Sequence, residues 1–144
     1  MNSSALTCYA LRLVPGEDII KRLKLFLTEN NLKAAFIVSC VGSTKFTKLR
    51  TANSTTVKTF SKPHEIVSLS GTLSQDGFHL HASISDENSM VFGGHVMEVM
   101  ETYTTIELVI GELNSLKFTR EFDSNSGYKE LVIRNREHLS TTDT

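Results

Sequence analysis

The sequence predicts an α+β domain in which one main helix, about residues 17–30, packs on a mainly antiparallel β-sheet. Three observations lead there. One stretch alone, Ile19, Ile20, Leu23, Phe26 and Leu27, repeats apolar residues at helical spacing. Several short segments instead alternate apolar and polar residues with the two-residue period of a half-buried strand. At 144 residues, without a repeat, heptad or low-complexity tract, the chain is long enough for one domain with its own core.

Each element follows from its residues. Residues 7–14 read as the first strand, with Cys8, Ala10, Arg12 and Val14 on one side and Tyr9, Leu11 and Leu13 on the other. Pro15-Gly16 ends it. Glu17 and Asp18 open the helix, where carboxylates favour the positive end of the helix dipole. Lys21, Arg22 and Lys24 face water, and Asn30-Asn31 is the stop, because asparagine tolerates the left-handed conformation past a helix end. Residues 34–41 are nearly continuous in apolar side chains, as in a strand covered on both faces, and Gly42-Ser43 breaks them. Residues 46–52 form a further strand carrying Arg50. Residues 53–63, rich in Ser, Thr and Lys, read as an exposed loop or edge hairpin. Residues 65–73 alternate, with Val67, Leu69, Gly71 and Leu73 on one side. Towards the C-terminus, residues 103–113 and 116–122 are strands joined at Asn114-Ser115, and residues 128–133 close the sheet. Residues 138–144 are polar and expected to fray.

The middle of the chain carries the chemistry. His79 and His81 alternate with Phe78, Leu80, Ala82 and Ile84, so both imidazoles lie on the polar face of one strand. Asp86-Glu87-Asn88 reads as a three-residue hairpin loop with Asn88 in the left-handed position. A second strand then runs from residue 89 or 90 to about 97. In that register His79 faces His95 directly and His81 lies diagonal to it, while Met90, Phe92 and Val96 share the apolar face with Phe78, Leu80 and Ile84. A loop of two or four residues would send His95 to the opposite face. Three imidazoles on one face suit a divalent metal, zinc first among the candidates, with one coordination position left open. The competing reading is a polar sheet face whose imidazoles bond one another, serines or water. Gly93-Gly94 beside His95 either leaves room for an ion and ligand or marks a bulge.

Composition narrows the function. Fifteen Lys and Arg against 16 Asp and Glu give a net charge of −1, which offers nothing to a phosphate backbone or an anionic membrane. No apolar run approaches the ~20 residues that span a bilayer. The first residues lack the basic and apolar regions of a secretory signal, and Cys8 and Cys40 read as buried free thiols, so an intracellular protein is expected, cytoplasmic or nuclear. No nucleophile elbow, phosphate loop or nucleotide fingerprint is present.

Several separated motifs occur in the order typical of one family: Arg12-Leu-Val-Pro-Gly-Glu17-Asp18, Ile37-Val-Ser-Cys-Val-Gly42-Ser43, Leu49-Arg50, Glu65-Ile-Val-Ser-Leu-Ser-Gly71, His79-Leu-His81, Gly93-Gly-His95 and Glu107. Across residues 7–134 the chain resembles the plants and prokaryotes conserved (PPC) domain, with tails at 1–6 and 135–144. The resemblance implies an antiparallel α+β fold assembled as a homotrimer. It places His79, His81 and His95 at the family's histidine positions, which look like a metal site in stand-alone members. It also supplies Glu65, Glu107 and Arg50 as candidate catalytic residues, each of which could equally be structural. The chain departs from the plant proteins, whose partner-binding Gly-Arg-Phe-Glu-Ile-Leu is here Lys62-Pro63-His64-Glu65-Ile66-Val67. It has no AT-hook, so direct DNA binding has no residues to rest on, and Val99 and Thr102 stand where the family has Gly and Val. His64 reads as a solvated loop histidine. Three functions follow for the structure to weigh: a trimeric metal protein that binds or acts on a small molecule, a non-enzymatic oligomerisation or protein-interaction module, and a DNA-binding regulator. Whether it is an enzyme stays open at this stage.

Overall fold

The computed structural model describes residues 2–53 and 55–136. Their order is β1 (Leu6–Leu13), α1 (Ile19–Glu29), β2 (Ala35–Arg50), β3 (Val57–Phe60), β4 (His64–Ser74), β5 (Gly77–Ser85), β6 (Val91–Leu113), β7 (Leu116–Asp123) and β8 (Tyr128–Asn135). The first six strands form one antiparallel sheet in the order β1-β6-β5-β4-β2-β3, and an additional pairing of β6 with β2 closes a ring through β2, β4, β5 and β6. One helix among the described residues against eight strands is the α+β architecture expected.

The helix starts where its cap can form. Asp18 has extended backbone and accepts from the Lys21 N–H through Oδ1 at 2.9 Å, while its Oδ2 accepts from the Met100 N–H at 2.9 Å. One carboxylate therefore caps the helix and ties it to β6, a bond pair whose loss costs about 1–3 kcal/mol. Ile19, Ile20, Leu23 and Leu27 are buried, and the helix stops at Asn30 with Asn31 in the left-handed region at φ 52°. Against that stripe the sheet turns Leu13, Leu49, Leu73, Leu80, Ile84, Met100, Ile106 and Leu108 inward to make the main core.

Several sequence expectations are corrected. Gly42-Ser43 does not break the strand: β2 runs unbroken for 16 residues, with register shifts absorbing the irregularity. Gly42 takes φ +140° because a Cβ there would stand 2.1 Å from the Thr105 carbonyl oxygen, so the glycine permits a close approach of β2 to β6. Residues 34–41 are not covered on both faces, since Val38 and Val41 are exposed. In β4 a register shift between Ile66 and Ser68 takes Val67 off the expected face: Leu69 and Leu73 are buried as expected, but Ile66 is buried in place of Val67, which is 56 % exposed. The two strands expected at about 90–97 and 103–113 are one strand of 23 residues. Within the segment expected as a loop or edge hairpin, β3 (Val57–Phe60) pairs with β2 at the sheet edge, as one of the two readings had it.

The C-terminal strands do not close the sheet. β7 and β8 pair with each other as a separate two-stranded sheet with a small core of Ala34, Leu116 and Phe118 packed with Leu113 and Leu131. The turn at Asn114-Ser115 is present. The Phe118 N–H donates to the Lys33 carbonyl at 3.0 Å, and Arg136 pairs with Glu112 beside the β6 terminus. β1 starts at Leu6 rather than residue 7, and β8 extends through Asn135 rather than ending at 133. The expectation for His138 and residues 138–144 lies outside the described residues.

Candidate metal centre

The histidine cluster forms, by a different turn. Ser85 pairs with Val91, so the loop holds residues 86–90, two more than expected. Asp86 organises it: Oδ1 accepts from the N–H groups of Asn88 and Met90, both at 2.9 Å, and the Asp86 N–H donates to the Met90 carbonyl at 3.1 Å. The left-handed residue is Ser89, at φ 61°, rather than Asn88, and Met90 is 59 % exposed rather than on the apolar face. Two extra residues leave the parity of the register unchanged, so His95 stays on the same face. Its direct partner becomes His81, not His79.

His79, His81 and His95 place one ring nitrogen each within 4.8 Å of the others. The Nε2 atoms of His79 and His81 are 3.2 Å apart, and the three ring centroids are separated by 5.0, 5.2 and 5.5 Å. Two nitrogens bound tetrahedrally to zinc at ~2.0–2.1 Å would stand ~3.3–3.4 Å apart, so the His79–His81 pair already has the spacing of two ligands. His95 Nδ1 is buried with no hydrogen-bond partner among the described residues. Burial, then the charges of Arg50, His79 and His81, push the His95 imidazole down to about 4. His79 is also lowered, first by burial and then by His81 and Arg120. Neutral imidazoles are the metal-binding form. The donor set therefore fits a borderline divalent ion.

Gly93 and Gly94 have different work. A Cβ on Gly94 would stand 2.6 Å from the Arg50 carbonyl oxygen, so this residue lets β6 lie close to β2. Gly93 pairs with Ser83 on the histidine face, where a Cβ would meet the Ala82 carbonyl at 3.2 Å. Backbone packing, rather than open space, accounts for the pair.

Of the candidate catalytic residues, the fold brings only Arg50 to the histidines. Its backbone pairs with His95, and it borders the same cleft as His79 and His95. Glu65 lines a separate hollow with Ser43, His64 and Tyr103, at the opposite end of β4 from the residues beside His79 and His81. Glu107 lies near the far end of β6, beside Arg12 and Val41. His64 is not a solvated loop residue: it is 7 % exposed, its Nδ1 is 2.7 Å from the Lys62 carbonyl, and its ring packs on Phe60 and Phe92. Sequence reasoning missed Arg120, Lys129 and Glu130, which the β7–β8 hairpin carries to the cleft. No local pattern links them to the histidines.

With this geometry in place, comparison with known proteins is decisive about kinship. The profile of the Plants and Prokaryotes Conserved (PCC) domain matches residues 2–114. The chain belongs to this family. The solved PCC-like neighbours agree with the fold. A hypothetical protein from Salmonella cholerae-suis is 42 % identical, with a TM-score of 0.92 over 94 % of this chain and 99 % of that one. A protein from Archaeoglobus fulgidus described as metal-containing is 25 % identical, with a TM-score of 0.78 over 92 % of this chain and 99 % of that one. A curated relative, bifunctional protein GlmU of Synechococcus sp. (strain JA-3-3Ab), is 38 % identical over 131 residues. That match takes in 91 % of this PCC chain but only 21 % of the relative, so the chain spans about a fifth of its length. No helix among the described residues is long and apolar enough to cross a membrane.

Proposed function

We propose that this PCC-domain chain is a homotrimeric metal protein in which His79, His81 and His95 hold a divalent ion, zinc by the nature of the donors, beneath a cleft that binds or acts on a small molecule. The observation that carries the reading is three mutually adjacent ring nitrogens, one pair of them at ligand spacing. The Archaeoglobus relative described as metal-containing supports it. A bound zinc would supply Lewis acidity and a water acidified to a pKa of about 7. The protein's own part is to hold the His79 and His95 imidazoles neutral, to present the three ligands on a paired β-ribbon, and to border the open side with Arg50, Arg120 and Glu130. Exposed Val38 and Val41 on β2, where the sequence leads one to expect cover, support a second copy packing on that face. Cys8, exposed rather than buried as expected, and Cys40, half-buried with its thiol pushed up to about 12 by burial, are both free thiols and support an intracellular, reducing compartment.

Metal analysis of unchelated protein tests the site: one zinc per chain is expected, and a metal-free result in zinc-supplemented buffer overturns it. Sedimentation equilibrium tests the trimer. A second reading, an interaction module without catalysis, is favoured by the distance of Glu65 and Glu107 from the histidines. It predicts that chelation leaves partner capture intact. Direct nucleic-acid binding is the weakest of the three at a net charge of −1.

A further inference from the structure

The cleft over the histidines has a charge pattern that metal binding does not require. It measures about 460 Å³, within the range of small-molecule sites, and opens between the main sheet and the β7–β8 hairpin. Arg50, Arg120 and Lys129 border it with positive charge, against Asp76 and Glu130. An adjoining hollow of about 370 Å³ continues past His81 between Thr72, Arg120, Glu130 and Leu131. Two guanidinium groups thus stand beside the histidines, and positive groups outnumber negative ones on the cleft by three to two. Arg120 is half sunk. Its Nη2 donates to Thr72 Oγ1 at 2.7 Å and its Nε is buried without a partner among the described residues, which leaves Nη1 as the donor for a ligand in the cleft that Arg120 borders. Arg50 enters from β2 on the other side of His95. A neutral ligand would leave both forks unmatched, whereas a carboxylate or phosphate takes up two parallel N–H bonds from such a group.

We infer that the cleft is an oxyanion site, in which Arg120 from the hairpin and Arg50 from β2 hold the carboxylate or phosphate group of a small ligand over the three histidines. The inference rests on the proposed metal site for the ligand's inner end and on the arginines for its anionic group. Glu130 then acts as a stand-in for the anion, occupying the field of Arg120 until the ligand displaces it. The hairpin that supplies Arg120, Lys129 and Glu130 lies beyond the residues matched by the family profile, so the histidines and Arg50 come from the shared part of the domain and Arg120 from its appendage.

Calorimetric titration of malonate and of inorganic phosphate into the zinc-loaded and the chelator-treated full chain is the test. The wild type is expected to bind at least one of the two, and whichever binds tells carboxylate from phosphate. R50Q and R120Q should each weaken binding about tenfold or more, the scale of one charge-assisted hydrogen bond, with zinc content and far-UV circular dichroism unchanged. E130Q should tighten it, a gain that misfolding cannot produce; unchanged or weaker binding in E130Q counts against the inference. Binding by the folded R50Q/R120Q double variant as tight as wild type overturns it, as does failure of the wild type to bind either anion at millimolar concentration. If the wild type takes up no zinc, the metal reading falls alone. The chelator-treated titrations then decide the oxyanion site, kept by arginine-dependent binding and overturned by any other result.

Discussion

The two hairpins that meet at the cleft are built on opposite principles. In β5–β6 the histidines occupy alternate positions of strands whose other face is the main core, so Leu80, Ala82, Ile84 and Val96 fix where His79, His81 and His95 point. In β7–β8 the strands pair only with each other, over a core of three buried residues, and the hairpin is attached through Arg136–Glu112, the Arg120–Thr72 hydrogen bond to β4 and a few backbone bonds. The first hairpin has its geometry set by burial. The second is positioned by its attachment. Precision is thus concentrated in the metal ligands, and adjustability in the groups proposed to meet the ligand.

The contrast can be broken or sharpened by experiment. Leu80→Ala should cost the whole domain about 2–5 kcal/mol in urea unfolding, because a fully buried leucine between the two imidazoles is removed. A loss under 1 kcal/mol would mean that the core does not hold the ligand strand. His81→Ala, at the position directly opposite His95, should lower zinc affinity at least about 100-fold in a chelator competition with little change in the melting temperature of the metal-free protein. Arg136→Ala should cost about 1–3 kcal/mol by leaving the buried Glu112 carboxylate without its cation. Hydrogen exchange should place the loosened amides in β7–β8 and leave β5–β6 protected.

The next effect is a pH slope. In the folded chain the His95 imidazole sits near 4, below its unfolded value of 6.5, so between those values the unfolded state binds more protons. Metal-free protein should therefore lose stability as pH falls from about 6.5 towards 4 and then level off as far as this residue is concerned. His95→Gln should flatten the slope, measured by urea midpoints at fixed ionic strength; an unchanged slope would show that His95 is not the group responsible. Smallest of all, Met90→Lys should fall within about 0.5 kcal/mol of wild type, since Met90 sits exposed in the five-residue loop.

What the sequence made legible divides along the same line. The helix, its Asp18 start and its Asn30-Asn31 stop were readable, because each depends on neighbours in sequence. So was the common face of the three histidines, since strand parity survives a change of two residues in the loop even though the pairing partner changes. Continuity was not readable. Gly42 looks like a terminator and is instead a contact with Thr105, 63 positions away, and the bulge at Val67 takes that residue off the face where alternation alone places it. The buried setting of His64 depends on Phe60 and Phe92 from two other strands. Arg120, Lys129 and Glu130 were invisible as site residues, because only the separate packing of β7–β8 brings them there.

The pairing scheme also makes the three imidazoles unequal partners. His81 is flanked on both sides, by Ser70 of β4 and His95 of β6, whereas His79 has Thr72 on one side and lies past the last β6 residue to pair with β5. Two ligands are thus anchored in mid-weave and the third sits at its selvedge. An ion arriving at the cluster would meet His79 and His81 already at ligand spacing, the first held from one flank only, and His95 would complete the coordination shell.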